Sequence, residues 1–77
     1  MAHEMTDRDV DMLHVLRRGV RGMLLAHIDG DIEKETAILA AEGFLITMNH
    51  IGWDTDLAEA RAQQIFEETF PNAKESQ

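Results

Sequence analysis

Hydrophobic residues recur along most of this chain with the three- and four-residue steps of an α-helix, in two long segments and a shorter one. The pattern predicts helices over residues 7–28, 31–51 and 56–69, followed by a flexible polar tail over 71–77. We therefore expect an all-α fold in a single domain of residues 1–77, built as a helical hairpin with a C-terminal amphipathic helix.

Residues that commonly begin and end helices support these boundaries. Thr6 precedes the first helix as an N-cap, and Asp54 or Thr55 can cap the third. The Asp-Gly-Asp sequence at 29–31 predicts a turn, in which Gly30 ends the first helix and either aspartate caps the second. Gly52 is expected to end the second helix, and Pro71 cannot continue the third. The short connection at 29–31 predicts an antiparallel pair of helices.

One segment of the second helix is ambiguous. Residues 43–48 form a short apolar run, which a buried strand would also produce. No second segment of the chain provides a convincing partner strand, so we interpret the run as helical.

The first two helices are apolar on more sides than a chain of 77 residues can cover by itself. Gly19 and Gly22, one turn apart in the first helix, indicate either a kink or a close helix contact, and we favour the contact. We therefore predict a homodimeric bundle. The residues expected at the dimer interface are Leu13, Leu16, Val20, Met23, Phe44 and Met48.

The chain is acidic, with 15 Asp and Glu against seven Lys and Arg and a formal net charge of −8. This charge disfavours nucleic acid and anionic lipid as partners and favours a basic protein surface. The chain lacks cysteine, a membrane-spanning apolar run and a positively charged leader, so we expect a soluble cytoplasmic protein.

No residue pattern in the sequence predicts catalysis or a bound cofactor. Asp7, Asp11 and His14 share one helical face, but a metal site usually needs a fourth ligand and a shaped cavity. Neither a phosphate-binding glycine loop nor a complete calcium loop is present. We expect a protein that is not an enzyme, with no catalytic residue, cofactor or metal.

Three arginines, Arg17, Arg18 and Arg21, supply much of the positive charge. We favour ion pairs between them and acidic residues of the second helix, such as Glu33, Glu35 or Glu42, across the hairpin or across a dimer. The alternatives are contact with a partner protein and contact with nucleic acid. Trp53 is interpreted first as a cap over the core, although tryptophan is also common in binding sites. The candidate partner-binding residues are Trp53, Arg17, Arg18, Arg21, Glu59 and Glu67.

These features together suggest a small acidic regulatory or inhibitor protein, homodimeric, that binds and blocks a larger and basic protein. A transcription factor or a nucleic-acid-handling complex would be a suitable target. Regulators encoded by phages and mobile elements often have this size, which is a consideration of size alone. The alternatives are a dimeric nucleic-acid-binding regulator that uses Arg17, Arg18 and Arg21, and a structural subunit of a hetero-complex.

Overall fold

The structure, a computed structural model, describes residues 4–71, which form three α-helices: α1 (Asp7–Ile28), α2 (Lys34–Ile51) and α3 (Asp56–Thr69). Within this part of the chain there is no strand, so the apolar run at 43–48 is helical as predicted. α1 and α3 have the bounds that the sequence pattern predicts, whereas α2 begins three residues later than expected. Most of the predicted tail, residues 72–77, lies outside the described residues.

Both ends of α1 follow from its local sequence. The Thr6 hydroxyl accepts a hydrogen bond from Asp9 N at 3.1 Å, which satisfies one free N–H of the first turn. At the other end Gly30 has a φ of +85°, and Asp31 N donates to Ala26 O at 2.9 Å. This bond and the one from Gly30 N to His27 O form a Schellman motif, which terminates the helix.

The start of α2 differs from the prediction. Its N-cap is Glu33, which makes no capping hydrogen bond with its side chain, and neither Asp29 nor Asp31 caps the helix. The reason lies in the connection, because Ile32 packs against the core before the helix begins. α2 ends at Gly52, whose φ is +99° and whose N–H donates to Met48 O at 3.0 Å.

α1 and α2 form an antiparallel hairpin, and α3 packs against both, most extensively against α1. The N-termini of α1 and α3 lie together, so these two helices run in the same direction. Each helix contributes one face to a single core. The buried apolar residues are Leu13, Leu16, Val20, Ala37, Ile38, Ala41, Leu45, Met48, Ala58, Ala62, Ile65, Phe66 and Phe70.

The residues predicted to form the dimer interface lie within this core instead. Four of them are buried inside one chain, and Met23 and Phe44 are half-buried against the same cluster. The prediction identified the right apolar faces but assigned them to the wrong neighbour. One copy of the chain covers the four buried residues because α3 adds a third apolar face to the hairpin, so of the predicted residues Met23 and Phe44 remain partly accessible to a second copy.

The two glycines of α1 have different surroundings. A Cβ at Gly19 would lie 2.9 Å from Cζ of Phe44, so the absence of a side chain there lets the aromatic ring pack against the helix backbone. A Cβ at Gly22 would meet nothing within 4 Å. The predicted close contact therefore exists at Gly19 and not at Gly22, and it is made by one ring.

Among the described residues, no helix combines the length and apolar content that crossing a membrane requires.

Candidate functional site

The N-termini of α1 and α3 are joined by a buried polar junction centred on Asp9. The Asp9 side chain is inaccessible to solvent. Its Oδ1 accepts from Asp54 N and its Oδ2 accepts from the Thr55 hydroxyl, both at 2.8 Å. The Thr55 hydroxyl also accepts from Ala58 N at 3.2 Å, so it caps α3 while binding the carboxylate of α1.

A second set of bonds closes the junction from the solvent side. The Thr6 hydroxyl donates to Asp54 Oδ2 at 2.6 Å, and Arg8 Nη1 lies 2.8 Å from Asp54 Oδ1. Thr6 therefore caps α1 and bonds Asp54, which precedes α3. Thr55 caps α3 and bonds Asp9 of α1.

Two opposing influences set the pKa of Asp9. Burial acts to raise the pKa, whereas hydrogen bonds from the Asp54 backbone, the Thr55 hydroxyl and the Thr6 backbone, with the nearby charge of Arg8, act to lower it. The lowering influences prevail, so the Asp9 carboxyl has a pKa below its ordinary value. The side chain is ionised and fully bonded at neutral pH. We assign it a structural role, because the side chain is inaccessible to solvent and its hydrogen bonds to Asp54 and Thr55 hold α1 and α3 together.

The side of α2 that faces away from the core is apolar and exposed. We call it the outer α2 face and define it by the exposed residues Thr36, Leu39, Ala40, Gly43, Ile46, Thr47 and His50. Leu39 is 68% exposed and Ile46 is 64% exposed. Water therefore contacts two large aliphatic side chains on a helix whose opposite face already fills the core.

The three arginines of α1 make no ion pair with the described residues. The ion pairs in that part of the chain join Arg8 to Asp54 and Arg61 to Glu68. The pairing of Arg17, Arg18 and Arg21 with Glu33, Glu35 or Glu42 across the hairpin is therefore absent from one chain. The geometry explains this: the arginines lie on the solvent side of α1 and toward α3, whereas α2 packs on the Gly19 side of α1. Pairing of these arginines across a dimer stays a prediction.

Two of the arginines border an open groove between α1 and α3, which we call the arginine groove. Its volume is about 450 Å³. Apolar side chains of both helices line it, and Arg17 and Arg21 stand opposite α3 residues of mixed polarity. The lining residues are Arg17, Arg21, Leu24, Leu25, Ile28, Ile65, Glu68 and Thr69. Arg17 and Arg21 also border a second depression of the same volume, about 450 Å³, that includes Arg18, His14 and Asp11.

Trp53 follows α2 and is half-buried, with its ring against the core. Its indole N–H donates to the Asn49 side chain at 2.7 Å. The ring thus has the position of a cap over the core, as interpreted from the sequence, and only part of it is accessible to a partner.

The two acidic candidates lie apart on α3. Glu59 is exposed in the first turn of the helix, and Glu67 is exposed near its end. Glu67 accepts a hydrogen bond from the Gln63 side chain at 3.1 Å. The structure therefore does not bring Glu59, Glu67, Trp53 and the arginines into one site.

Within residues 4–71, no group of three or more His, Asp or Glu side chains is arranged to hold a metal ion. Two surfaces have features of binding sites. The arginine groove presents arginine side chains beside apolar ones, and the outer α2 face presents exposed aliphatic side chains. Comparisons with protein-family models, curated protein sequences and solved structures gave no match.

Sequence reasoning missed the junction at Asp9. It did predict excess apolar surface on the second helix, but it placed the exposed part at Phe44 and Met48 and not at the outer α2 face. A signal for the junction is present, because Thr6 and Asp9 have the spacing of a capping box, which places a carboxylate at the helix N-terminus. The signal for the outer α2 face is the absence of Asp, Glu, Lys and Arg at seven positions that share one helical side.

Proposed function

We propose that this chain is a non-enzymatic regulatory or inhibitor protein that acts as a homodimer and blocks a larger protein by occupying part of its surface. The proposal is supported by the distribution of unpartnered groups. The hydrophobic core forms within one chain, yet aliphatic side chains remain exposed on the outer α2 face and cationic side chains at the arginine groove.

The observation that carries the proposal is the arginine groove. Arg17 and Arg21 flank an apolar floor that contains Leu24 and Ile65, and neither arginine has an ion-pair partner among the described residues. Arginine is enriched at protein interfaces because its planar group binds carboxylates with two hydrogen bonds and its stem packs on apolar surface. Such a groove suits an amphipathic segment that inserts an apolar side chain and presents carboxylates to the arginines.

The groove and the net charge favour different targets. A net charge of −8 favours a target that is basic overall, as expected from composition. The arginine groove instead favours carboxylates at the point of contact. We propose contact through the groove, because short-range pairs decide the stability of a complex more than the distant field does, and ions in solution screen that field.

Capture from a lysate of the source cells by the immobilised chain tests this function. The wild-type chain is compared with Arg21→Glu and with Lys34→Glu, which makes the same charge change at an exposed position outside the groove. We expect the wild type and Lys34→Glu to retain the same protein and Arg21→Glu to lose it, while all three keep the same helical circular dichroism spectrum. Equal retention by all three, or no specific retention, would count against the proposal.

A basic target would give a different pattern. In that case Glu59→Lys and Glu67→Lys would abolish capture and Arg21→Glu would leave it unchanged or strengthen it. These two exposed glutamates therefore distinguish contact by the acidic surface from contact by the groove.

The second candidate is a nucleic-acid-binding regulator, favoured by the same three exposed arginines, which would contact phosphates. The surrounding negative charge opposes it. A gel shift at low salt decides the matter, since a shift of DNA or RNA that Arg21→Glu abolishes would replace the protein-binding function.

A further inference from the structure

The outer α2 face stands out because it lacks charge. From Thr36 to Ile51, every exposed residue of α2 is neutral apart from the titratable His50, on a chain in which 29% of residues are charged. Glu42 also belongs to this stretch, but it is half-buried at the side of the helix. The buried centres of protein interfaces are depleted in charged residues and rich in aliphatic and aromatic ones.

The shape of this face suits contact with another helix. Leu39 and Ile46 project on either side of Gly43, where an added Cβ would meet nothing within 4 Å. Small residues, Ala40 and Thr47, lie beside the glycine. Two such helices that cross at this glycine can therefore bring their backbones close together, with Gly43 facing Gly43. A second copy of α2 presents the same arrangement, in which two large side chains lie on either side of a glycine.

The ends of α2 determine the orientation of such a pair. The N-terminal end carries Glu33 and Glu35 with Lys34 between them, a net charge of −1 from two carboxylates and one ammonium, whereas the C-terminal end carries His50 and no exposed carboxylate within the helix. A parallel pair would bring the acidic ends of both copies together. An antiparallel pair places each acidic end beside the partner's His50 and aligns the two helix dipoles in opposite directions, which is favourable.

We infer that a second copy of this chain covers the outer α2 face, with the two α2 helices antiparallel and crossing near Gly43 about a two-fold axis. This arrangement gives the homodimer of the proposed function a defined interface, and it rests on that part of the function. Leu39 of each copy packs against the partner's Ile46, on either side of the crossing where the two Gly43 residues face each other. The arginine groove, formed by α1 and α3, stays open in both copies.

Chemical cross-linking of single-cysteine variants tests the interface, because the chain has no native cysteine. The variants are Thr36→Cys and His50→Cys, both at exposed positions of the outer α2 face, 14 residues apart. A crossing at Gly43 places residue 36 of one copy beside residue 50 of the other. Like residues of the two copies would be separated by about 21 Å along the helix axis, at 1.5 Å per residue.

We expect a short bismaleimide to cross-link an equimolar mixture of the two variants at least tenfold more than either variant alone. Cross-linking of each variant with itself, and not with the other, would indicate a parallel pair and overturn the inference. An absence of any cross-link, with a single-chain mass in solution, would overturn both the interface and the homodimer. A two-chain mass without the mixed cross-link would overturn this interface alone and leave the proposed homodimer standing.

Two aspartate substitutions provide the matched control. Ile46 and Leu57 are both exposed aliphatic residues, at 64% and 50%; only Ile46 belongs to the outer α2 face, and Leu57 lies outside the arginine groove. Ile46→Asp added to both cysteine variants should abolish the mixed cross-link, and Leu57→Asp should leave it unchanged. Equal loss with both substitutions would mean that a general loss of hydrophobic surface, and not this face, explains the association. Capture of the target by the arginine groove, measured separately with Ile46→Asp, shows whether target binding survives without the dimer.

Discussion

The inner and outer faces of α2 are both apolar, but they have different surroundings. The inner face, which includes Ala41, Leu45 and Met48, is buried against α1 and α3. The outer face presents Leu39 and Ile46 to solvent. Fully burying one such side chain contributes about 1.5–3 kcal/mol, so the exposed pair is a substantial unused source of binding free energy. The apolar content of a helix therefore does not by itself distinguish residues of the core from residues of an interface.

The largest expected contrast between the two faces comes from the same substitution made on each. Leu45→Ala removes a side chain that is only 6% exposed and should lower the free energy of unfolding by about 2–5 kcal/mol, because it leaves a cavity in the core. Leu39→Ala should lower it by less than about 0.5 kcal/mol in dilute solution, where the chain is single. Urea denaturation monitored by circular dichroism measures both values.

Equal losses of unfolding free energy for Leu45→Ala and Leu39→Ala at low concentration would contradict this difference, since Leu39 would then stabilise the fold of one chain. At high concentration Leu39→Ala should become destabilising, because a dimer stabilises the folded state by mass action.

This contrast also shows what the sequence could and could not reveal. The three helices, the turn at Gly30 and the threonine caps follow from local patterns, because capping and periodicity act over a few residues. The neighbour of each apolar face does not follow, because it depends on where α3 packs. For that reason the sequence pattern predicts Leu13, Leu16, Val20 and Met48 at a dimer interface, although α3 helps to bury them within one chain. It likewise predicts ion pairs for the arginines across the hairpin or a dimer, whereas within one chain they face solvent and α3.

A second pair of substitutions sharpens the contrast between packed and open helix surface. Gly19→Ala should destabilise the chain by about 1–2 kcal/mol, because its Cβ would lie 2.9 Å from the Phe44 ring and overpacking exceeds the gain in helix propensity. Gly22→Ala, on the same helix with open space around it, should stabilise the chain by about 0.5–1 kcal/mol. Thermal denaturation would contradict this account if the two variants shifted the melting temperature in the same direction.

Asp9 extends the comparison to polar groups, because a carboxylate is buried while large aliphatic side chains are exposed. Its pKa is lower in the folded chain than the ordinary value of 3.8, so folding favours the ionised form. Its contribution to stability should be complete above that ordinary pKa and should be lost as the pH falls through the lowered one.

The measurement is the urea midpoint as a function of pH, compared between the wild type and Asp9→Asn. We expect the wild-type advantage to shrink below about pH 4, since protonation weakens the same bonds that the amide cannot reproduce. If the difference in urea midpoint between the wild type and Asp9→Asn stayed constant down to the lowest pH measured, Asp9 would not stabilise the fold through its charge.

The smallest expected effect is that of salt on self-association. The outer α2 face has no Asp, Glu, Lys or Arg, so added salt should leave dimer affinity unchanged or strengthen it slightly by screening the repulsion between two acidic copies. Target binding through Arg17 and Arg21 should weaken under the same conditions. Dimer dissociation by added salt would indicate that charged residues, and not this face, form the interface.

The mass of the wild-type chain in solution, measured by sedimentation equilibrium over a wide concentration series, shows whether a second copy covers α2. We predict a mass that rises with concentration from one chain to two and stops there, since a two-fold pair leaves no free outer α2 face. A mass that stays at one chain up to the highest concentration would contradict the claim that a second copy covers α2.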